Sequence, residues 1–311
     1  MKVVVTGAKG MLASAVRAQW AQLRPDDEII GLSRSEVDLR DREATLAMLT
    51  EIKPDLIIHC AAIVGGIAAN VAHPTAFLSD NLLLDTSVIS GAMAVGVPRL
   101  IYIGSSCMYP RDYRQPLVET DLLAAPLEPT NEGYAIAKIA GSKLCEYASR
   151  EFGLTYKTII PSNLYGPNDD YDSGKSHLVA AAISKIHRAK LADDPTVEIW
   201  GDGSARREFT YVEDLGQWLT ANIDQIDEWP SMMNVGYGHD HSVLEFYEIA
   251  KRVVGYDGDF VFDTSKPAGM HQKLMDSTVA TTFGWNPTTD VPNGMAKAYE
   301  IYLADSSSPT S

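Results

Sequence analysis

The sequence predicts a doubly wound α/β fold, a parallel sheet with helices on both faces, joined to a smaller C-terminal α/β domain. Three observations predict it. Short β-branched runs alternate with helical stretches through the first half of the chain. A glycine turn follows the first of those runs and opens directly into a helix. After Asn163 the alternation loosens and polar, turn-rich sequence takes over. Strand–helix–strand repeats make right-handed crossovers, and these generate parallel pairing.

Lys2–Thr6 (KVVVT) is short and apolar, as a buried parallel strand requires. A helix is expected from Met11 to Leu23, a second strand over Asp27–Leu32, a helix over Arg42–Glu51 and a third strand over Asp55–His59. Pro74–Val95 reads as a long helix, Arg99–Gly104 as the fourth strand, Asn131–Phe152 as a helix and Tyr156–Pro161 as the fifth strand. Asn168–Lys175 (NDDYDSGK) is a turn-rich loop, followed by a helix over Ser176–Ala189 and a strand over Val197–Trp200. Phe209–Val212 and Met232–Val235 read as returns to the main sheet. Helices near Val243–Val254, Met275–Phe283 and Pro292–Leu303 complete the chain. These elements suggest a dinucleotide-binding domain over 1–163 with returns near 207–236. A substrate-binding domain takes 164–206 and 237–303, and a frayed polar tail takes 304–311. The cleft between the domains is the expected ligand site.

The 311 residues can bury a substantial core, and 45% hydrophobic with 22% charged residues is ordinary for a globular chain. The net charge of −15 argues against nucleic-acid or anionic-membrane partners. No apolar run approaches the ~18 residues of a membrane span. Cys60, Cys107 and Cys145 are too scattered for a disulfide framework or a zinc site, and the chain opens on a strand without a signal-peptide pattern. A cytoplasmic location and no metal are therefore expected.

The turn after the first strand is Thr6-Gly7-Ala8-Lys9-Gly10-Met11-Leu12-Ala13. Gly7 permits the tight turn, Gly10 lets backbone approach a pyrophosphate, and Ala13 is small enough for helix–strand packing, as in Rossmann-type domains. The helix start, from Met11, presents free N–H groups and a positive dipole end to phosphate. An acidic residue at the end of the second strand would favour NAD. Here Ser33 and Arg34 stand instead, a hydroxyl and a guanidinium suited to the 2′-phosphate of NADP. A solvated surface arginine is the alternative. Asp38 and Leu39 lie just beyond and could contact the adenine.

Tyr134 and Lys138 are four residues apart on a helix and share one face. A free phenol titrates near ~10, and a neighbouring ammonium is expected to lower that value. Such pairs also occur on solvated helix faces, so the company matters. Ser105 follows the fourth strand, where ligands of doubly wound sheets bind. Ser105, Tyr134 and Lys138 together supply a hydroxyl donor, an acid–base phenol and a helper ammonium. A lone cysteine is most often a small buried hydrophobe, which fits Cys60 and Cys145. Cys107 differs because it lies two residues past Ser105 in the same loop.

These residues resemble the extended short-chain dehydrogenase/reductases and, among them, the GDP-L-fucose synthase family of 3,5-epimerase-4-reductases. The matching stretches include AAIVGGIAAN (61–70), GSSCMYP (104–110), LEPTNEGYAIAKIAGSKLCE (127–146), NLYGPND (163–169), MNVG (233–236) and FDTSKPAG (262–269), so the resemblance reaches to about residue 303. It implies an NADPH-dependent enzyme acting on a GDP-4-keto-6-deoxy sugar. Ser105, Tyr134 and Lys138 match the catalytic triad, Cys107 the base of epimerisation and His177 the acid. The cofactor would be lined further by Ala61, Ala62, Pro161, Asn163 and Leu164, with Tyr134, Lys138 and His177. Ser105, Ser106, Cys107, Asn163, Lys185, Trp200, Arg207 and Lys273 would contact the substrate. Lys185 stands where the family often carries arginine, and Met270-His271-Gln272 replaces a common Thr-Pro-Arg. A related 4-keto sugar, such as the trideoxy precursor of colitose, is thus a second expected substrate. A reductase or epimerase without the Cys/His step, or a non-catalytic dinucleotide sensor, are the remaining alternatives. The helices at 74–95 and 131–152 resemble those that pair two copies in this superfamily, which implies a homodimer; packing on the sheet alone is the plainer reading.

Overall fold

The computed structural model describes residues 1–171, 176–266 and 269–307. Parts of three sequence expectations, at 172–175, 267–268 and 308–311, fall outside the described residues. In order, the first half forms β1 (Lys2–Thr6), α1 (Met11–Leu23), β2 (Glu28–Leu32), α2 (Arg42–Ile52), β3 (Leu56–His59), α3 (Ile67–Ala72), α4 (Pro74–Val95), β4 (Arg99–Ile103), α5 (Glu132–Phe152) and β5 (Thr155–Pro161). The second half forms β6 (Asn163–Tyr165), α6 (Leu178–Leu191), β7 (Thr196–Trp200), β8 (Arg206–Tyr211), α7 (Val212–Asn222), β9 (Met232–Val235), β10 (Asp240–Ser242), α8 (Val243–Val254), β11 (Asp259–Asp263), β12 (Gln272–Lys273), α9 (Thr278–Thr282) and α10 (Val291–Ser307).

Among the described residues, six strands form the main sheet in the order β2-β1-β3-β4-β5-β9, every pair parallel. Successive residues of β1 and β3 are fully buried because helices cover both faces, which is why these strands read as continuous apolar runs. On one face α1 packs against α7 over a tryptophan cluster in which Trp218 stacks on Trp229 at 5.2 Å. On the other face α2, α4 and α5 pack side by side. Both long helices of that face stop at left-handed glycines, Gly96 and Gly153, with φ of 74° and 67°. The strand order reverses between β1 and β3, so a crevice opens above their carboxyl ends.

The expected return of Phe209–Val212 to the main sheet does not occur. β8 sits instead in a second sheet, between β10 and β12 and beside β6, and its buried side chains Phe209 and Tyr211 belong to a separate core with Tyr165 and Phe246. A short apolar run gives no partner strand by itself, and here the partners are strands of two or three residues without a sequence signal. β9 does rejoin the main sheet, against β5. The helix expected over Met275–Phe283 is confined to Thr278–Thr282, because Met275 is drawn into a bridge with Leu117. The strand expected over Val197–Trp200 pairs with β11 in a two-stranded sheet at the edge of the second core. Among the described residues no helix is long and apolar enough to cross a membrane, and no cluster of side chains could hold a metal ion.

Candidate active site

The carboxyl ends of the main-sheet strands open onto a groove of about 580 Å³. Gly7, Gly10, Met11, Ser33, Arg34, Ala61 and Ala62 line one end of it. Ser105, Ser106, Cys107, Tyr134, Lys138, Pro161, Asn163, Leu164 and His177 line the other. These sixteen candidates come from the turns after β1, β2, β3 and β4, from β5 and β6, and from the starts of α1, α5 and α6, so the fold itself assembles them.

The first end has the shape of a dinucleotide cradle. Gly7 adopts φ +68°, and a Cβ there would lie 2.8 Å from the Ala61 backbone, so only glycine lets the two crossing turns touch. Gly10 is the N-cap of α1 and no side chain caps the helix, which leaves the first-turn N–H groups for phosphate oxygens. Beyond β2 the Ser33 hydroxyl and N–H both bond Glu36, at 2.5 and 2.8 Å. Those bonds, with a further one from Ser35, hold the Glu36 carboxyl down at about 2. Ser33 is thus already engaged, and exposed Arg34 is the side chain there that faces an incoming anion. Asp38 and Leu39 lie elsewhere: Asp38 is tied to Arg40 at 2.7 Å, and Leu39 is buried in the core under α2 and α4. Neither lines the groove.

At the other end, Ser105 caps a short 3₁₀ turn, its Oγ accepting from the Cys107 N–H at 3.2 Å. The same hydroxyl bears on the Tyr134 phenol, pulling its titration down. The phenol behaves differently from the sequence expectation. Burial, then the charges of Cys107 and Asp85, push it above its ordinary value, and the Ser105 hydroxyl opposes them. The Lys138 ammonium lies 3.9 Å from Asp85 Oδ1 and 4.5 Å above the Tyr102 ring. Sharing a helix face set the direction of both side chains, but a buried carboxylate on α4 claims the lysine first.

Cys107 is the meeting point of the groove. Its Sγ receives the Asn131 amide at 3.1 Å and the Lys273 ammonium at 3.7 Å. Lys273 comes from β12 and is buried, so the second domain reaches into the site at this point. Arg207, beside it on β8, feels the Cys107 charge and donates to the Arg206 carbonyl at 2.8 Å. His177 precedes α6 and opens to the groove. Packing around its ring, then the Lys273 charge, lower its imidazole below the ordinary value, while Asp170 opposes them. Lys185 and Trp200 form a separate station: the ammonium lies 5.4 Å from the indole centroid, Lys266 lies 5.7 Å from it, and the indole N–H donates to Glu198 at 3.0 Å. Trp200 is 43% exposed at the edge of the second domain.

Two features escaped the sequence. Asn131 lies three residues before Tyr134, and its Oδ1 is buried without a partner while its amide holds Cys107. Asp85 is 1% exposed in the middle of α4 and accepts from Tyr102 at 2.5 Å and His59 at 3.1 Å. Its signal was present: a single carboxylate inside the apolar stretch LLLDTSVI is costly unless paired. Among the described residues the three cysteines are free, with Cys145 buried as a small hydrophobe and Cys60 at the groove wall, its thiol pushed up to about 12 by burial.

Comparison with known proteins adds the following. The family described as NAD dependent epimerase/dehydratase matches residues 3–236. The chain is 42% identical over 304 residues to GDP-L-colitose synthase of Yersinia pseudotuberculosis, covering 97% of this chain and 98% of that one. It is also 42% identical over 307 residues to GDP-L-fucose synthase of Azorhizobium caulinodans, covering 97% and 96%. Among solved structures, MlghC, the GDP-mannoheptose C4 reductase from Campylobacter jejuni with NADP bound, superposes with a TM-score of 0.87 at 30% identity, covering 97% of this chain and 98% of that one.

Proposed function

The chain belongs to the NAD dependent epimerase/dehydratase family, and we propose that it converts GDP-4-keto-6-deoxy-D-mannose to GDP-L-fucose, inverting C3 and C5 and then reducing C4 with NADPH. The observation that carries this reading is the setting of Cys107: a thiol two residues from Ser105, beside Tyr134, with Asn131 and Lys273 both donating to its sulfur. A plain reductase has no use for such a group next to the ketone site.

The residues divide the work as follows. Ser105 and Tyr134 hydrogen-bond the C4 oxygen, which acidifies the neighbouring C–H bonds by stabilising the enolate. Cys107 takes the proton from one face and His177 returns one to the other, as inversion demands. The lowered imidazole of His177 makes it a ready proton donor when charged. NADPH, when bound, supplies the hydride to C4. Tyr134 then protonates the new hydroxyl; its raised value keeps the phenol in the acid form that reduction consumes. Lys273 and Arg207 face the diphosphate, and Lys185 and Trp200 the guanosine, so positive charge is gathered locally on an acidic protein.

A second reading follows from the Yersinia relative, whose name is GDP-L-colitose synthase, and from Lys185 and Gln272 standing where the family commonly carries arginine. The related 4-keto precursor of GDP-L-colitose would undergo the same chemistry. A homodimer fits the apolar residues Leu83, Ile136 and Tyr147 exposed on the paired helices α4 and α5. A cytoplasmic location accords with three unbonded cysteines.

The test is incubation with NADPH and each GDP-4-keto sugar, followed by NMR assignment of the product at C3, C4 and C5. The expected product is GDP-L-fucose. Cys107→Ser is expected to stop solvent-deuterium entry at C3 and C5 by about 10²–10⁴-fold while NADPH binding persists. Undiminished exchange in that variant rejects the acid–base assignment.

A further inference from the structure

Behind the groove, and outside the chemistry above, lies a chain of buried polar groups that ends on Lys138. The Ala61 N–H donates to Thr6 Oγ1 at 3.1 Å, and Thr6 Oγ1 bonds His59 Nδ1 at 2.7 Å. His59 Nε2 bonds Asp85 Oδ1 at 3.1 Å, and the Tyr102 hydroxyl donates to Asp85 Oδ2 at 2.5 Å. Lys138 completes the set at 3.9 Å. The carboxylate sets the sense of the chain: ionised Asp85 only accepts, so the neutral imidazole donates to it from Nε2, and Nδ1 accepts from the Thr6 hydroxyl. Burial and the Lys138 charge both favour that neutral ring.

We propose that Asp85 is the positioning residue of the catalytic lysine, its carboxylate fixing the Lys138 ammonium beside Tyr134 and keeping it charged. An ammonium only 2% exposed loses most of its hydration, and burial alone drives it toward the neutral amine. Asp85 is the strongest of the groups that oppose this; the Cys60 and Cys145 thiols, from the turn after β3 and from α5, follow it. Of the other polar groups packed here, His59 on β3 reaches the lysine's neighbourhood through Asp85, while Tyr102 on β4 both bonds Asp85 and sets its ring 4.5 Å from the ammonium. Glycine 141 shows that the fold makes room for this arrangement. A Cβ on Gly141, one turn beyond Lys138 in α5, would sit 2.5 Å from the Tyr102 phenol. A mid-helix glycine is unfavourable against alanine, and here it admits the ring that holds Asp85.

The inference rests on the proposed 4-reduction, with Lys138 as the helper ammonium of Tyr134 that the sequence suggests, and its test separates the two. Lys138 can be followed without substrate by its ¹³Cε shift, assigned by the signal missing in Lys138→Met. In the holoenzyme, Asp85→Asn is expected to move the Lys138 titration to lower pH by about one unit or more, and to cut 4-reduction about tenfold at the alkaline end of the wild-type profile. A Lys138 titration unchanged from wild type overturns the proposal, whichever sugar the enzyme uses. Asp85→Asn leaves a buried ammonium unpaired and can fail to fold; the double variant Asp85→Asn, Lys138→Met removes both charges and is expected to fold. Its residual reduction should equal that of Lys138→Met alone. A double variant severalfold slower than Lys138→Met shows that Asp85 acts by another route and also overturns the proposal. A wild type that fails to reduce either GDP-4-keto sugar rejects the proposed function and leaves the titration result standing.

Discussion

The two ends of the groove are built by different means. At the dinucleotide end, backbone does the positioning: turns after β1 and β3 touch at Gly7, and a helix start faces the phosphates. At the sugar end, side chains from distant segments converge: Lys273 from a two-residue strand meets Cys107, and Lys185 from α6 meets Trp200. A site made of backbone is fixed by the order of the strands. One made of long side chains is fixed only when each is buried and paired, as Lys273 is and the half-exposed Trp200 is not. The geometry of the reaction centre should therefore be rigid, and nucleotide recognition more tolerant.

Four substitutions can break or sharpen that contrast. The largest effect belongs to the centre. Tyr134→Phe removes the proton donor and half of the oxyanion contact, and should lower kcat for 4-reduction by about 10²–10⁴-fold with little change in the KM for the sugar. Stopped-flow NADPH oxidation measures it. A loss below about tenfold would mean that Ser105 or water protonates the product.

Next is the seam between the two halves. Glu208 on β8 is 1% exposed and clips the loop after β9 to the start of α9: its Oε1 accepts from Gly238 N–H at 2.7 Å and its Oε2 from Met275 N–H at 3.0 Å. Burial raises its carboxyl to about 7, against the pull of these N–H donors. An acid whose folded value exceeds its unfolded one favours folding at low pH. That contribution is whole below its ordinary value of 4.5 and is lost as pH rises through about 7. Glu208→Gln turns an amide NH₂ toward a backbone N–H and should cost about 1–3 kcal/mol below pH 4.5, and less as the wild-type carboxyl ionises through about 7. It should also flatten the fall of melting temperature between 4.5 and about 7. An unchanged slope in calorimetry would place the titration on another group.

How far the sequence carried these conclusions follows the same division. The alternation of β-branched runs with helices placed every strand of the main sheet up to β5 within two residues, because strands buried on both faces must be apolar throughout. The glycine turn, Ser105, Tyr134 and Cys107 could be found for the same reason: each lies at a strand end or helix start whose position was already known. β6, β10 and β12 could not be foreseen, being two or three residues long and held by pairing with β8 rather than by their own pattern. The pairing of Lys138 with Asp85 was hidden too. Spacing on one helix says which residues share a face, and nothing of a carboxylate arriving from α4. Asn131 was masked by its other role, since an asparagine before a helix reads as a cap; here its side chain makes no cap bond and serves Cys107 instead.

That bond gives the third substitution. Asn131→Ala removes a donor from Cys107 and a buried acceptor from the groove, and should slow deuterium entry at C3 and C5 about tenfold, the worth of about one hydrogen bond. Reduction, which does not use the sulfur, should fall less. Equal losses in both steps would show Asn131 to be holding the start of α5, and with it Tyr134, rather than the thiol.

The smallest effect is expected at the far end. Trp200 offers a ring face flanked by Lys185 and Lys266, a setting in which a purine can stack and a diphosphate can find positive charge. Nothing there touches the ketone, so whatever Trp200 contributes is made equally in the ground state and the transition state. Trp200→Ala should then raise the KM for the GDP-sugar about five- to tenfold, the worth of about 1 kcal/mol of stacking, and leave kcat within about twofold. A fall in kcat would mean that gripping the base is coupled to placing the sugar over Cys107, and that the two ends of the groove, built so differently, move as one.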